Sequence, residues 1–201
     1  MHVVFAAGGT AGHVEPALNV ADAVRRLDAG AEVTVIGGDR GLEQQLVPAR
    51  GYRLVALPAV PLPRRPGMDL VRLGPRLARA VAKATDVLGE VRADVVVGFG
   101  GYAAVPAYLA ARRTRTPLVI HEANARPGVA NRLGARLTRE VYSSFPESMR
   151  GSRAMALPLR RAIATLDRPA QRAGARAYFD LPEAGPVLLV FGGSQGAARL
   201  N

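Results

Sequence analysis

Three apolar runs in this chain each end in a glycine-rich turn. Val3-Val4-Phe5-Ala6-Ala7 leads into Gly8-Gly9-Thr10-Ala11-Gly12-His13. Val95-Val96-Val97 leads into Gly98-Phe99-Gly100-Gly101-Tyr102. Val187-Leu188-Leu189-Val190-Phe191 leads into Gly192-Gly193-Ser194-Gln195-Gly196. A buried strand that feeds such a turn leaves backbone N–H groups free of Cβ atoms at the start of a helix, where an anion is favoured. One such turn is common in α/β folds for packing alone. Three in one chain point to phosphate or diphosphate.

Between the turns, strand-like and helix-like segments alternate. Strands are expected at 2–7, 32–36, 53–57, 94–97 and 118–121, with two short edge strands at 140–143 and 154–157. Helices are expected at 16–28, 41–50, 69–89, 103–113 and 128–138. The first carries Ala17, Leu18, Ala21, Val24 and Leu27 on one side. Apolar runs without period-two alternation, separated by helices, indicate a parallel sheet covered on both faces. The fold class is therefore α/β, a doubly wound parallel sheet, with ligands at the carboxyl ends of the strands. Beyond Pro158 the chain turns to helical pieces rich in Ala and Arg, and 187–191 restarts the strand–turn scheme. Two domains follow, 1–160 and 161–201, the latter made of linker helices and then the first strand of a second domain.

The charge balance of +11 comes almost wholly from arginine and attracts anionic partners. Nucleic acid is not expected, because aromatics are only 5% and no zinc-finger, basic-zipper or RNP-like pattern occurs. The absence of cysteine excludes disulfides and thiolate metal sites. The amino terminus runs straight into a strand, without the pattern of a secretory signal. No stretch reaches the ~18 apolar residues of a membrane span, so any membrane contact is expected to be peripheral. On the helix near 70–88, Arg72, Arg76, Arg79 and Lys83 form a stripe opposite the apolar face. Such a stripe is either a solvated surface or a contact for anionic head groups.

The motifs are neither a Walker A loop nor a dinucleotide fingerprint. His13, after the first loop, suits a general base or a phosphate hydrogen-bond donor, or simply fixes the loop. His121-Glu122-Ala123-Asn124 sets an imidazole, a carboxylate and an amide at another strand end, where Glu122 alternatively braces the loop. Ser194 and Gln195 offer polar groups at the third loop or cap its helix. No Asp-x-Asp occurs, so the sequence offers no obvious metal–diphosphate clamp, and helix N-termini and arginines would neutralise phosphate instead. No metal ligand set and no cofactor are expected.

In order and spacing, Gly8–His13, Gly98–Tyr102, His121–Asn124 and Gly192–Ala197 closely resemble the MurG family. These are the N-acetylglucosaminyltransferases that convert lipid I to lipid II in bacterial peptidoglycan synthesis. Ala-Asn-Ala-Arg-Pro-Gly at 123–128 is similar to actinobacterial members. The resemblance covers the whole chain and implies a two-domain GT-B enzyme, whose N-terminal domain holds lipid I and whose C-terminal domain holds most of UDP-N-acetylglucosamine. It implies inverting, metal-independent transfer at the cytoplasmic face of the membrane. It assigns His13 as base and Thr10, Ala11, Gly12, Asn124, Arg160 and Ser194 as donor contacts. Gly9, Gly100, Gly101, Tyr102 and Glu122 become the acceptor diphosphate cradle, with Glu122 a second candidate for the base. Oligomeric state is left open.

Two positions depart from the family. Ala11 stands where glycine is common, which would cost about 1 kcal/mol if that turn needs positive φ. Ala156-Leu157-Pro158-Leu159 replaces a Gly-Asn-Pro before Arg160. The family's second domain also runs well past the third loop. The chain is therefore expected to be a C-terminally truncated piece that binds acceptor weakly and transfers no sugar alone. Another GT-B glycosyltransferase and a non-catalytic module for a diphosphate lipid or a membrane surface stay open as alternatives.

Overall fold

The computed structural model of the protein describes residues 1–58, 60 and 68–192, with only the backbone described in 68–72. Two compact units are present, Met1–Arg160 and Arg161–Asn201. The first is a seven-stranded sheet in which every paired strand is parallel. Its strands are β1 (His2–Ala7), β2 (Glu32–Gly38), β3 (Arg53–Leu57), β4 (Val95–Gly100), β5 (Leu118–Glu122), β6 (Val141–Ser143) and β7 (Arg153–Ala154). The spatial order is β3-β2-β1-β4-β5-β6-β7. The chain works outward from β1 to β3, then returns to lay β4 on the other side of β1. The order therefore reverses between β1 and β4, and a crevice opens beyond their carboxyl ends. The first two glycine loops both leave the sheet there.

The helices of this unit are α1 (Ala11–Leu27), α2 (Glu43–Ala49), α3 (Met68–Glu90), α4 (Ala104–Thr114) and α5 (Val129–Gly134). Alternation along β1 sends side chains to two separate cores. Val3, Phe5 and Ala7 join Val14, Ala17, Leu18, Val35 and Phe99 on one face. Val4 and Ala6 join Ile36, Ala84, Leu88, Val96, Tyr108 and Ile120 on the other. Both faces are apolar because both are covered, which is why the strands read as continuous hydrophobic runs. Full burial of a side chain such as Phe5 contributes about 1.5–3 kcal/mol.

The second unit contains α6 (Arg161–Ala164) and α7 (Arg168–Tyr178). Asp167 caps α7 by accepting the Ala170 N–H at 3.0 Å. Arg176 is buried and donates to the Pro182, Ala184 and Gly185 carbonyls, which folds 182–185 back over the helix.

Four details differ from the sequence reading. Of the two strands expected at an edge, β6 is interior, paired with β5 and β7, and β7 is an edge; the other edge of the sheet is β3. Leu27 is 90% exposed because burial fades along α1 and its last three residues all face solvent. Ala11 is the first residue of α1 and lacks positive φ, so its Cβ is not strained. Residues 187–191 are not a strand; they run without ladder partners among the described residues, and Leu188 is 89% exposed. An apolar run signals that burial is wanted, but a strand also needs a neighbour to bond.

Candidate functional site

The first two loops touch each other across the strand-order reversal. Gly101 sits at φ +86°, and a Cβ there would be driven into the Gly8 carbonyl oxygen. Gly100, at φ +94°, leaves room for His13: a Cβ would lie 3.2 Å from His13 Cδ2 and 3.2 Å from Asn131 Nδ2. The glycines here are spacing devices between two backbones and a ring, not only turn formers.

His13 lies in the first turn of α1, half-buried beside the second loop. Its Nδ1 is 3.1 Å from the Thr10 hydroxyl; in the tautomer whose Nδ1–H donates there, Nε2 is the basic nitrogen. Desolvation lowers its pKa below the ordinary 6.5; the Glu122 charge, the Gly8 carbonyl and the Glu43 charge each oppose that fall. The ring is therefore neutral at pH 7 and able to take a proton. Thr10 spends its hydroxyl on His13 and does not cap α1. The helix amino terminus at Ala11 and Gly12 thus keeps its positive end toward the crevice without a side-chain acceptor.

Under the second loop runs a buried relay. Tyr108 Oη accepts the Gly100 N–H at 3.2 Å and donates to Asn131 Oδ1 at 2.8 Å. Asn131 Nδ2 donates to Glu122 Oε2 at 3.0 Å and to the His121 carbonyl at 3.1 Å. Glu122 also accepts from the backbone N–H groups of Asn124 (2.8 Å) and Gly128 (3.0 Å), and from Asn124 Nδ2 (2.9 Å). Burial pushes the Tyr108 phenol well above its ordinary pKa, which keeps it a donor. The Tyr108 ring lies over Gly98 and Gly134, where a Cβ would meet it.

Glu122 is 1% exposed with both oxygens engaged, so its carboxylate braces the loop and does not face the crevice. It is neither an open diphosphate contact nor a free base in this structure. Asn124 is exposed, its amide nitrogen tied to Glu122. His121 packs against Phe99 with ring centroids 5.4 Å apart and planes tilted by 36°, and neither ring nitrogen has a hydrogen-bond partner among the described residues. Its pKa is lowered, desolvation outweighing the nearby Met155 and Ala156 backbone and the Glu122 charge, so the ring is neutral.

A residue that the sequence reading passed over controls the first loop. Glu43, the first residue of α2, is fully buried. Its Oε2 accepts the Gly9 N–H at 2.9 Å and its Oε1 the Gly38 N–H at 2.8 Å. The Gly9 N–H is thereby spent inside the protein and is not open to a diphosphate. Tyr108 and Asn131 were passed over as well. The signal for Glu43 lay in Gly37, Gly38 and Gly41, three glycines beside one carboxylate.

Arg160 belongs to the first unit and grips Glu15 of α1, at 2.8 Å from Nη2 to Oε1 and 3.1 Å from Nε to Oε2. Arg50 reaches the same carboxylate at 2.8 Å. Asn19 Nδ2 donates to the Pro158 carbonyl at 2.9 Å, so residues 158–160 are fastened to α1. Tyr102 is 53% exposed and projects from the second loop. Ser194 lies outside the described residues, as does the Arg72 side chain. Arg76 and Arg79 are exposed on α3, and Lys83 is tied back to the Ala56 carbonyl at 2.7 Å. Among the described residues, no helix is long and apolar enough to cross a membrane.

The sequence pattern of the glycosyltransferase family 28 N-terminal domain matches residues 3–143. Two curated relatives bear the name UDP-N-acetylglucosamine–N-acetylmuramyl-(pentapeptide) pyrophosphoryl-undecaprenol N-acetylglucosamine transferase. That of Nocardia farcinica is 55% identical, over 100% of this chain and 55% of its own length. That of Acidothermus cellulolyticus is 59% identical, over 100% of this chain and 55% of its own length. The chain spans about half the length of the curated relatives it matches. Among solved structures, Acinetobacter baumannii MurG superposes with a TM-score of 0.68 at 29% identity, covering 85% of this chain and 48% of that one. The UDP-GlcNAc 2-epimerase of Neisseria meningitidis, at 16% identity and a TM-score of 0.54, shares the fold over 78% of this chain and 46% of its own.

Proposed function

The chain belongs to the glycosyltransferase family 28 N-terminal domain family, and from that membership we propose that it forms the acceptor side of an enzyme making lipid II from lipid I. N-acetylglucosamine passes from UDP-N-acetylglucosamine to the C4 hydroxyl of the N-acetylmuramoyl group. The observation that carries this reading is the seat of His13: a neutral imidazole at the strand-order reversal, held between two interlocked glycine loops.

The chemistry follows from that seat. The C4 oxygen attacks the anomeric carbon and its proton passes to His13 Nε2. The bond from that carbon to the UDP oxygen breaks on the opposite side, and UDP leaves with the electron pair. Attack opposite the leaving group inverts the anomeric centre. The uncapped amino terminus of α1 at Ala11 and Gly12 favours the departing charge. Arg160 adds to it on exchanging Glu15 for phosphate, with Thr10, Asn124 and Ser194 as further donor contacts. No metal takes part in this scheme. The acceptor diphosphate lies against Gly101 and Tyr102; the Gly100 N–H is spent on the Tyr108 hydroxyl, as the Gly9 N–H is on Glu43.

An acceptor panel tests the substrate class. The intact protein, given UDP-N-acetylglucosamine, is expected to glycosylate a lipid I analogue and to leave simple glycosides and undecaprenyl monophosphate-linked sugars untouched. Preference for an acceptor without the N-acetylmuramoyl diphosphate would replace this reading with that of another glycosyltransferase.

The exposed guanidinium groups of Arg76 and Arg79 support a peripheral contact with anionic lipid, at about 1 kcal/mol per basic residue near the surface. This contact belongs to the cytoplasmic face of the membrane. Co-flotation with phosphatidylglycerol vesicles should fall roughly tenfold or more in the Arg76→Glu/Arg79→Glu protein and weaken with salt. Unchanged flotation would remove α3 from the contact.

A further inference from the structure

We propose that Glu43 is a positioning residue for His13, acting through the single peptide unit that joins Gly8 to Gly9. This rests on the reading of His13 as the base and adds a residue that the resemblance did not supply. In a trans peptide the N–H and C=O point in opposite directions. Glu43 Oε2 takes the N–H of that peptide at 2.9 Å. The carbonyl on its other side is the Gly8 oxygen, which lies close enough to His13 to favour the protonated ring. The same oxygen is where the second loop presses in, at Gly101. One carboxylate thus fixes the orientation of an acceptor beside the imidazole and the fit between the two loops.

The peptide needs such an anchor. It lies between two glycines, and Gly9 sits at φ +88° with no atom within 4 Å of where its Cβ would be. Glycine pairs have no side chains to restrict rotation, so this unit is held by the contact with Gly101 on its carbonyl side and by the Glu43 hydrogen bond on its N–H side. Glu43 itself is immobilised. It is fully buried, its second oxygen is bonded to Gly38 N–H at the end of β2, and glycines surround it. A Cβ at Gly8 would lie 2.8 Å from Oε1, one at Gly37 2.8 Å from Cγ and one at Gly38 2.9 Å from Oε1. A Cβ at Gly41 would strike Oε2. The glycines after β1, at the end of β2 and before α2 make the carboxylate fit, and a buried carboxylate without its two N–H partners is costly.

Charge adds to geometry. The groups that act on His13 are Glu122 from the end of β5 and Glu43 from α2, and both favour the protonated ring against desolvation. Glu122 reaches through a loop held by four N–H donors. Glu43 reaches through the Gly8–Gly9 peptide.

Nitrogen-detected NMR of the three histidine rings in the chain reads this directly. His2 is an internal control, because it pairs with Glu32 at 3.0 Å and Thr34 at 2.9 Å at the opposite end of β1. In Glu43→Gln the amide cannot accept both N–H groups, so the peptide is released. The ratio of the two His13 ring tautomers is expected to change and its titration midpoint to move to lower pH, with His2 unchanged. Glu43→Asp keeps the charge but shortens the reach; there the tautomer ratio should change with a smaller movement of the midpoint. An unchanged His13 spectrum in a folded Glu43→Gln protein would overturn the proposal. So would loss of the fold, seen as all three histidines titrating together, because Glu43 would then serve the fold alone. Failure of the base role is separate: it would appear as undiminished transfer by a His13→Gln protein and would leave the NMR outcome standing.

Discussion

A His13→Gln variant of the intact protein is expected to lose about 10²–10⁴-fold in kcat for transfer to a lipid I analogue, the usual range for removing a positioned general base. Glutamine keeps a hydrogen-bonding side chain beside Thr10 and similar bulk beside Gly100, so both loops stay closed. KM for the acceptor should change by less than about tenfold, because an imidazole that receives its proton only in the transition state contributes little to ground-state binding. The assay follows radiolabel from UDP-N-acetylglucosamine into the lipid fraction. A kcat within about threefold of the parent would exclude His13 from proton transfer.

The next largest effect is on stability. Gly9 and Gly101 have almost the same backbone angle, φ +88° and +86°, so alanine suffers the same left-handed penalty at both, about 1–2 kcal/mol. Their surroundings differ. Nothing lies within 4 Å of a Cβ at Gly9, whereas at Gly101 the Cβ meets the Gly8 carbonyl, which is backbone and cannot rotate aside. Overpacking of this kind adds about 1–3 kcal/mol. Gly101→Ala is therefore expected to lose about 2–5 kcal/mol in urea denaturation, and Gly9→Ala only about 1–2. Equal losses would mean that the two loops are not in contact. The Gly101→Ala enzyme should also lose most of its transfer activity, since the loop that it displaces flanks His13.

The order of strands and helices was legible in the sequence because each strand of the doubly covered sheet is an apolar run and each carboxyl end is marked by glycine. The location of the crevice was legible for the same reason. Pairing was not. Residues 187–191 have the composition of a buried strand and no neighbour among the described residues, and 140–143 has the length of an edge strand yet lies between two others. His13, Tyr102 and Asn124 could be picked out because they stand beside glycine turns. Glu43 and Gly9 are 34 residues apart, and Tyr108 and Asn131 are 23 apart. Only the sheet order brings these residues under the loops. Glu122 could be read from the sequence either as a loop brace or as a ligand contact. Its place at a strand end suggested a ligand contact, but four N–H donors turn it inward. Arg160 was assigned to a phosphate, and the structure has it holding Glu15.

The central claim is that a neutral His13 accepts the acceptor's proton, and the pH dependence of kcat/KM, which reports the groups of the free protein, tests it most directly. Desolvation lowers the His13 pKa below 6.5, so the ring stays unprotonated through neutrality and becomes protonated only at more acid pH. This ratio should be flat near pH 7 and fall as pH drops, with the acid limb centred below 6.5. That limb should vanish from the residual activity of His13→Gln. An acid limb that persists unchanged in the variant, or one centred above 6.5 in the parent, would contradict the account.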